Sequence, residues 1–324
     1  MIGNAKEIFT IRKFLGINNV DDPSRIPPGE SSFLTEARNV DIDDTKMPHR
    51  RGGYGEPVYR ASRIHSLFSY SGVVLFVQGT DLKRLTATYS GGLVRANVGE
   101  ARMSYAGVQD RIYYTNSSVI AYVKDGVSYE FPEPNQTFKS RMKAGQLIEW
   151  FNGRLYVARG GVLWYSDPMY PGVTDERRNF KNLGGYITML RAVQDGLYVS
   201  NGKKTVFLAG LDPGDMALRE VSDEPAILGT DIKVDGSAVG RNVLPGPVIM
   251  WLSESGVSVG LPEGKVFSPN GHYAPPVPYP GAATTALNRF GFYQYIVSQK
   301  SFPDVLVDAV DGLSSSGSME ASLP

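Results

Sequence analysis

The chain has 324 residues, of which 42% are hydrophobic, which is enough for a substantial core. Lys plus Arg and Asp plus Glu both number 33, so the formal net charge is zero and no global basic field marks a nucleic-acid binder. The absence of cysteine excludes disulfides, thiolate catalysis and cysteine-ligated metals, and only three histidines are present: His49, His65 and His272.

The composition favours short strands over helices. Gly (36) and Pro (21) are frequent, and Tyr (18) outnumbers Phe (14), as is typical of strands joined by tight turns. No apolar run approaches the roughly 18 residues that a membrane-spanning helix needs. We therefore expect an all-β protein without membrane insertion.

Residues 1–60 form an N-terminal segment whose pattern differs from the rest of the chain. Within it, residues 31–40 (SSFLTEARNV) predict a short helix with a serine N-cap. Residues 38–43 and 46–54 flank a turn and predict a hairpin of polar strands. We expect this segment to serve assembly, or to pair with the last strands of the chain and so hide two sheet edges.

Residues 61–311 contain a repeat. Six strand-length apolar runs start at residues 73, 111, 154, 196, 248 and 292. Most are preceded by another apolar run, and most are followed by a polar or Gly-containing turn and a further run. Asn-Gly and Gly-Gly pairs at such turns supply the positive φ that hairpins require.

A period of about 40 residues, with three or four antiparallel strands in each unit, predicts a β-propeller. We expect about six blades (five to seven), since neighbouring blades would cover each other's sheet faces. The long step after residue 196 predicts an insertion at 231–244, taken as an extra hairpin. A β-sandwich or two small β domains stay open as alternatives. The Ser-rich stretch 312–324 predicts a flexible tail.

The stretch GVSVG at 256–260 matches the G-x-S-x-G elbow that carries the nucleophile of many serine hydrolases. An elbow needs a helix after the serine, whereas Ser258 is followed by Val-Gly-Leu-Pro-Glu-Gly. The only histidine after Ser258 is His272, and the only carboxylate between them is Glu263, so the three would have to converge from one hairpin and its loop. We therefore interpret Ser258 as one polar position of an alternating strand.

Other candidate sites are weak. Lys265 follows Gly264, but Val259 and Val266 stand where a P-loop needs Gly and Ser or Thr. Two acidic clusters lack the spacing of a calcium-binding loop and are interpreted as solvated turns or strands: Asp41, Asp43 and Asp44, and Asp212 with Asp215. Lys46, His49, Arg50 and Arg51 form a small basic patch, for which we expect ion pairs to Asp41 or Asp43 rather than a phosphate or nucleic-acid contact.

Aromatic residues recur within the repeat. Trp150, Trp164 and Trp251 lie in repeat strands, which favours core or inter-blade packing over a sugar-stacking platform. Tyr113, Tyr156 and Tyr198 lie at the centres of equivalent strands and are predicted to be buried. No catalytic constellation, cofactor site or metal site is predicted, so the sequence favours a structural or binding protein over an enzyme.

Two groups of short motifs lie along the chain. The N-terminal motifs are Gly16 to Asn19, Pro23, IPPG at 26–29, ARNVDID at 37–43 and RRGGY at 50–54. The later motifs are LWYSDP at 163–168, LYV at 197–199, GLDP at 210–213 with Met216, and GVSVG at 256–260 with Gly264. Together they resemble motifs of tailed-bacteriophage virion proteins, in particular the propeller part of short-tailed phage nozzle proteins.

The resemblance implies a non-enzymatic virion protein of the tail or neck, made in the host cytoplasm. Its implied partners are other copies of itself, in a ring of about six, and portal, adaptor or other tail proteins, close to DNA without reading its sequence. Nozzle proteins are generally longer and gate the channel with extra domains, so no gating role follows. The alternative is a receptor- or glycan-binding propeller at the tail tip, and a propeller hydrolase is the third hypothesis.

Overall fold

A computed structural model describes residues 13–26, 31–37, 40–42, 45, 47–50, 52, 55–239, 243, 245–269, 282–289 and 292–298. Its N-terminal strands are β1 (Lys13–Ile17), β2 (Ser31–Leu34), β3 (Val40–Ile42) and β4 (Pro48–Arg50), with a 3₁₀ turn at Pro23–Arg25. β1 and β2 pair in parallel, and β3 and β4 form an antiparallel hairpin. The hairpin predicted from residues 38–54 is thereby confirmed.

Five four-stranded antiparallel sheets follow in the chain. The first consists of β5 (Ile64–Tyr70), β6 (Val73–Gln78), β7 (Asp81–Leu85) and β8 (Gly91–Arg95), and the second of β9 (Ser104–Val108), β10 (Arg111–Thr115), β11 (Ile120–Lys124) and β12 (Val127–Tyr129). The region of the third sheet contains six strands: β13 (Ser140–Arg141), β14 (Leu147–Phe151), β15 (Arg154–Arg159), β16 (Val162–Tyr165), β17 (Val173–Thr174) and β18 (Phe180–Asn182). Of these, β14, β15, β16 and β18 form the sheet, and β13 pairs separately with β17. The fourth consists of β19 (Met189–Ala192), β20 (Gly196–Ser200), β21 (Thr205–Ala209) and β22 (Ala217–Ser222), and the fifth of β23 (Ile232–Asp235), β24 (Pro247–Ser253), β25 (Gly256–Gly260) and β26 (Val266–Phe267).

These sheets are the blades of a β-propeller, as the repeat predicted. In each blade the strands pair in chain order, and the first strands of successive blades lie next to one another, as β9, β14 and β19 do. A sixth unit contributes a two-stranded hairpin, β27 (Ala283–Arg289) and β28 (Phe292–Ser298), which lies against β23. The six apolar runs of the sequence correspond to the second strands, β6, β10, β15, β20, β24 and β28.

The core lies between the blades. Four apolar clusters join the first blade to the second, the second to the third, the third to the fourth and the fourth to the fifth. Each cluster takes side chains from one face of both partners, for example Leu75 with Tyr105, or Phe207 with Trp251. A blade therefore buries both of its faces only when a neighbour stands on each side.

Polar side chains at the end of the second strand fasten neighbouring blades. The hydroxyl of Thr115 donates to the Gly145 carbonyl (3.0 Å) in the connection to the third blade, and Asn116 Nδ2 donates to the Val98 carbonyl (2.8 Å) in the connection from the first. The fourth blade repeats the device with its own Ser-Asn pair. Ser200 accepts from the Ala226 amide (2.9 Å), and the next residue, Asn201, donates to the Leu183 carbonyl (2.9 Å).

Two predictions are wrong. Residues 31–34 form the strand β2 instead of starting a helix, because they pair with β1, and β-sheet contacts override a helix propensity that two serines leave weak. Residues 232–235 are the first strand of the fifth blade, β23, and not part of an extra hairpin. The insertion lies in the connection from β23 to β24, which begins with a 3₁₀ turn at Gly236–Ala238.

Among the described residues, β27 and β28 pair only with each other, and the N-terminal strands pair only among themselves. Arg102 instead joins the early and late parts of the ring. Arg102 lies in the connection between the first two blades. Its guanidinium donates to the carbonyls of Ala282 (2.6 Å) and Gly229 (3.3 Å). The Ala282 amide also donates to the Leu228 carbonyl (2.8 Å). Three distant stretches of chain thus meet at one point.

Gly229 is the residue that makes this meeting point fit. Its φ is +84°, and an added Cβ would lie 2.1 Å from the Ala282 carbonyl oxygen and closer still to the Arg102 guanidinium. Both the backbone conformation and the lack of space therefore require glycine.

We predict that Gly229→Ala lowers the free energy of unfolding by about 3 kcal/mol, because it adds a backbone clash to the left-handed strain. The matched control is Gly72→Ala in the β5–β6 turn, where φ is +77° and nothing lies within 4 Å of an added Cβ. That variant should lose only about 1 kcal/mol, the strain alone. Urea unfolding followed by tryptophan fluorescence measures both, and equal losses would contradict the role given to Gly229.

Candidate functional site

The structure places Ser258 in the middle of strand β25, opposite Trp251 in the register. The strand is followed by a single 3₁₀ turn, Pro262–Gly264, and not by an α-helix. Glu263 lies in that turn and pairs with Lys265 (2.6 Å), while His272 lies outside the described residues. The interpretation of GVSVG as strand is confirmed, and the geometry of a nucleophile elbow is not present there.

Only some residues of the predicted acidic and basic clusters lie in the part of the chain that the structure describes. Asp212 caps its own turn by accepting from the Gly214 amide (2.9 Å) and lies 3.5 Å from Arg154. The described residues contain no group of three or more His, Asp or Glu that could hold a metal ion. His49 and Arg50 are exposed on β4, but the carboxylates expected to pair with this patch lie outside the described side chains.

The predicted aromatic core is confirmed. Tyr113, Tyr156 and Tyr198 are buried, as is Trp251 between the fourth and fifth blades. The half-buried Trp150 stacks on Tyr113, with ring centroids 5.8 Å apart, across the boundary of the second and third blades. These rings support inter-blade packing.

A charged network that the motif search did not find links three blades close to the propeller axis. Glu149 on β14 accepts from Lys233 on β23 (3.1 Å). Arg191 on β19 lies 3.8 Å from Glu149 and donates from Nε to Asp231 (2.6 Å), which directly precedes β23. We call these four residues the axial network. Both carboxylates are buried, so their charges are compensated inside the protein and not by solvent.

The electrostatics of the network favour the charged form of Arg191. Burial opposes the charge on Arg191, but the carboxylates of Asp231 and Glu149 outweigh burial and raise the pKa of its guanidinium. Arg102 donates its hydrogen bonds to carbonyls, and for this residue burial outweighs the neighbouring charges. Burial lowers the pKa of its guanidinium, and Asp231 only partly offsets that effect.

A signal for the network does exist in the sequence. Two first strands are apolar apart from one charged residue, in LIEWF at 147–151 and MLRA at 189–192, and Asp231 and Lys233 alternate with Ile232 and Val234 at the start of the fifth blade. A charge inside a buried strand needs a partner, and first strands of a propeller face one another at the axis. From the sequence alone, the first two of these runs indicate only repeat strands, and residues 231–234 are assigned to the insertion.

A cup lies beside the axial network, where the strands β14 and β19 end and β24 begins. Its volume is about 300 Å³, and its lining includes Trp150, Phe151, Val193, Leu211, Pro247 and Lys233. Lys233 is shared, since its ammonium group pairs with Glu149 while its side chain lines the cup. The cup therefore combines apolar side chains with the polar Asn152 and Gln194, and Lys233 is the one charged residue of its described lining.

The sheets and their order define a β-propeller. No protein-family model matches the chain, and no curated protein matches it in sequence. Among the described residues, no helix has the length and apolar character needed to cross a membrane.

Solved propeller structures are similar to this chain. PorZ of Porphyromonas gingivalis, a surface component of the type-IX secretion system, matches 71% of the chain at 10% identity with a TM-score of 0.43, and the chain spans 31% of its length. The WD40 domain of Neurospora crassa Pan2 matches at 10% identity and a TM-score of 0.47, covering 74% of this chain and 75% of that domain. Virginiamycin B lyase of Staphylococcus aureus matches at 11% identity and a TM-score of 0.42, covering 73% of this chain and 78% of the lyase chain.

We predict that Glu149→Gln lowers the free energy of unfolding by about 3 kcal/mol, because it leaves Lys233 and Arg191 short of a buried counter-charge. The control is Glu220→Gln, which removes an exposed ion pair to Lys204 on the fourth blade and should cost less than about 0.5 kcal/mol. Chemical denaturation of both variants tests this. An equally small loss at Glu149 would show that the network does not stabilise the ring.

Proposed function

We propose that this chain is a non-enzymatic structural protein of a bacteriophage virion, located at the tail or neck, and that it assembles into a ring of its own copies beside the DNA channel. The N-terminal motifs that resemble phage virion proteins carry this proposal. Portal, adaptor or other tail proteins would be its neighbours.

The form of the N-terminal segment supports an assembly role. Its strands β1 to β4 pair among themselves and add no strand to any of the five four-stranded blades. The segment also exposes apolar side chains to solvent, among them Leu15, Val20, Met47 and Val58. Exposed apolar residues on a segment outside the main core are what a subunit contact would cover.

The rigidity of the propeller also supports a structural role. Inter-blade apolar clusters and the axial network hold the blades relative to one another, as a structural component of a virus particle requires. A rigid disc can hold neighbours on its two faces and its rim without changing shape.

The alternative, a receptor- or glycan-binding propeller at a tail tip, has less support. Such a protein would present similar exposed aromatic groups at one position in several blades. The tyrosines that do recur, Tyr113, Tyr156 and Tyr198, are buried in the core.

The proposal predicts that the protein is found in intact virus particles of its source. Mass spectrometry of purified particles should detect it, and electron microscopy should place it in a ring at the neck or tail. A monodisperse monomer that is absent from particles would refute the proposal. Glycan-array binding would favour the alternative, and a hydrolase activity lost in Ser258→Ala would favour an enzyme.

A variant pair tests the assembly surface. Val58→Glu should shift the purified protein from oligomer to monomer in light scattering, because it places a charge in the proposed subunit contact. Val127→Glu on the outer strand β12 is the control, since the two valines are exposed by 63% and 51%. Val127→Glu should leave the oligomer intact. The same oligomer in both variants would exclude this part of the segment from the contact.

A further inference from the structure

The first strand of the first blade, β5, is interrupted by a bulge at Ser66. The pairing of β5 with β6 shifts in register between His65 and Phe68. Ser66 has a φ of +54°, and of the described non-glycine residues with a positive φ it is the one that lies inside a β-strand. A side chain in the left-handed region costs free energy, so this conformation persists only where its neighbours hold it, and such strain is often found at switches.

Two contacts hold Ser66 in this conformation. Its hydroxyl oxygen lies 2.9 Å from Nδ1 of His65 and accepts a hydrogen bond from the Met103 amide (2.9 Å). Met103 directly precedes β9, in the connection from the first blade to the second. The hydroxyl therefore ties this connection to β5. We call His65, Ser66 and Met103 the latch.

The latch adjoins the point where the early and late parts of the ring meet. Arg102, the residue before Met103, donates to the carbonyls of Ala282 and Gly229. The hydrogen bond of the Met103 amide fixes the backbone from which the Arg102 side chain reaches these carbonyls. If that bond is lost, the backbone at Arg102 can move, and the junction loosens with it.

The hydrogen bonds of the latch require a neutral His65. Nε2 lies 3.4 Å from the Gly79 carbonyl oxygen, which can only accept, so Nε2 carries the ring hydrogen and Nδ1 is an acceptor. The Ser66 hydroxyl then donates its hydrogen to Nδ1. Protonation places a second hydrogen on Nδ1, and the hydroxyl has to turn its own hydrogen away.

The surroundings of His65 also disfavour its charged form. The residue is only 7% exposed. Burial lowers the pKa of its imidazole, and the Gly79 carbonyl and Glu100 only partly offset that effect. Arg63, which precedes β5, and Arg102 in the connection to the second blade lower the pKa further. Glu100 itself pairs with Arg63, so its charge is shared between two cations when His65 is protonated.

We propose that the latch is a pH-sensitive switch, which opens when His65 is protonated and loosens the junction at Arg102. Protonation turns the Ser66 hydroxyl, weakens its hold on the Met103 amide and adds a positive charge near Arg102. The strain at Ser66 then drives the opening. This inference goes beyond the proposed structural role and does not depend on it, since the purified chain would show the switch whether or not it belongs to a virion.

The direction of the pH effect follows from the lowered pKa. In the open latch the imidazole is exposed to water and titrates near its ordinary value of about 6.5. Opening therefore takes up a proton below that pH, and the closed latch loses stability as the pH falls from about 7 toward the lowered pKa of His65. The equilibrium constant for opening should rise several-fold between pH 7.5 and 5.5, with a limit of about tenfold.

The test is hydrogen exchange of the Met103 amide in the full chain, followed by NMR and expressed as a protection factor so that the intrinsic pH dependence of exchange is removed. We expect the protection factor to fall several-fold between pH 7.5 and 5.5. His65→Gln keeps a hydrogen-bonding side chain that does not titrate, so its Met103 protection factor should be the same at both pH values. No fall in the unmodified chain, or an equal fall in His65→Gln, would overturn the proposal.

Matched controls separate the latch from a general effect of acid. The Ala226 amide donates to the Ser200 hydroxyl oxygen in the fourth blade at the same distance, 2.9 Å, and its protection factor should not change with pH. His49→Gln removes an exposed histidine on β4 and should leave the fall at Met103 intact. A fall of equal size at Ala226, or a loss of the Met103 effect in His49→Gln, would show that His65 is not the switch.

The unmodified chain decides the matter even if His65→Gln fails to fold. The carbon-bound ring protons of His65 should titrate with a midpoint below about 6.5 in NMR, and the Met103 protection factor should fall over the same pH range. The comparison of the Met103 and Ala226 amides is made in the same sample. A midpoint at or above about 6.5 for His65 would exclude the switch, because protonation would then stabilise the closed latch.

Discussion

The architecture depends on one constraint, which is that a small twisted sheet with two apolar faces cannot stand alone in water. Each blade offers apolar side chains on both faces, and only a neighbouring blade on each side removes them from solvent. The four inter-blade clusters meet this constraint on both sides for the second, third and fourth blades and on one side for the first and fifth. The hydroxyl–asparagine pairs at Thr115–Asn116 and Ser200–Asn201 then fix the distance between neighbours, because each pair satisfies backbone groups of the connections on both sides.

Side chains from three blades converge near the axis, and four of them are charged and paired with one another. Arg191 lies between Asp231 and Glu149, and Lys233 completes the set. Buried ion pairs of this kind contribute little net stability compared with apolar packing, but removal of one partner is costly because it leaves a buried charge uncompensated. The charge on Lys233 also gives the adjoining cup its polarity.

Much of the fold could be predicted from the sequence, because hydrophobic runs and turns repeat with each blade. The second strands and their hairpins, such as the turn at Asn152 and Gly153, follow from local pattern alone. β2 could not be predicted, since its pairing with β1 depends on a non-local contact. The first strand of the fifth blade, β23, could not be predicted for a different reason. It contains Lys233 and follows Asp231, so it lacks the apolar run that marks other first strands.

The site was less accessible to sequence reasoning than the fold. The GVSVG motif could be dismissed from its neighbours, and the buried tyrosines followed from their strand positions. The axial network and the cup could not be derived, because their members come from three blades and are brought together only by ring geometry. A single charge within an apolar strand, as at Glu149, was the sole local sign.

The contact of Arg102 with Ala282 spans 180 residues of sequence. Consecutive blades can stack on one another soon after their residues leave the ribosome, since their strands are neighbours in the chain. The junction at Gly229 has to wait until nearly the whole domain has been made, and its loop-closure entropy is repaid only then. An incomplete chain would therefore display an unfinished stack of blades with an open end, the stage at which such a protein is most exposed to pairing with the wrong copy.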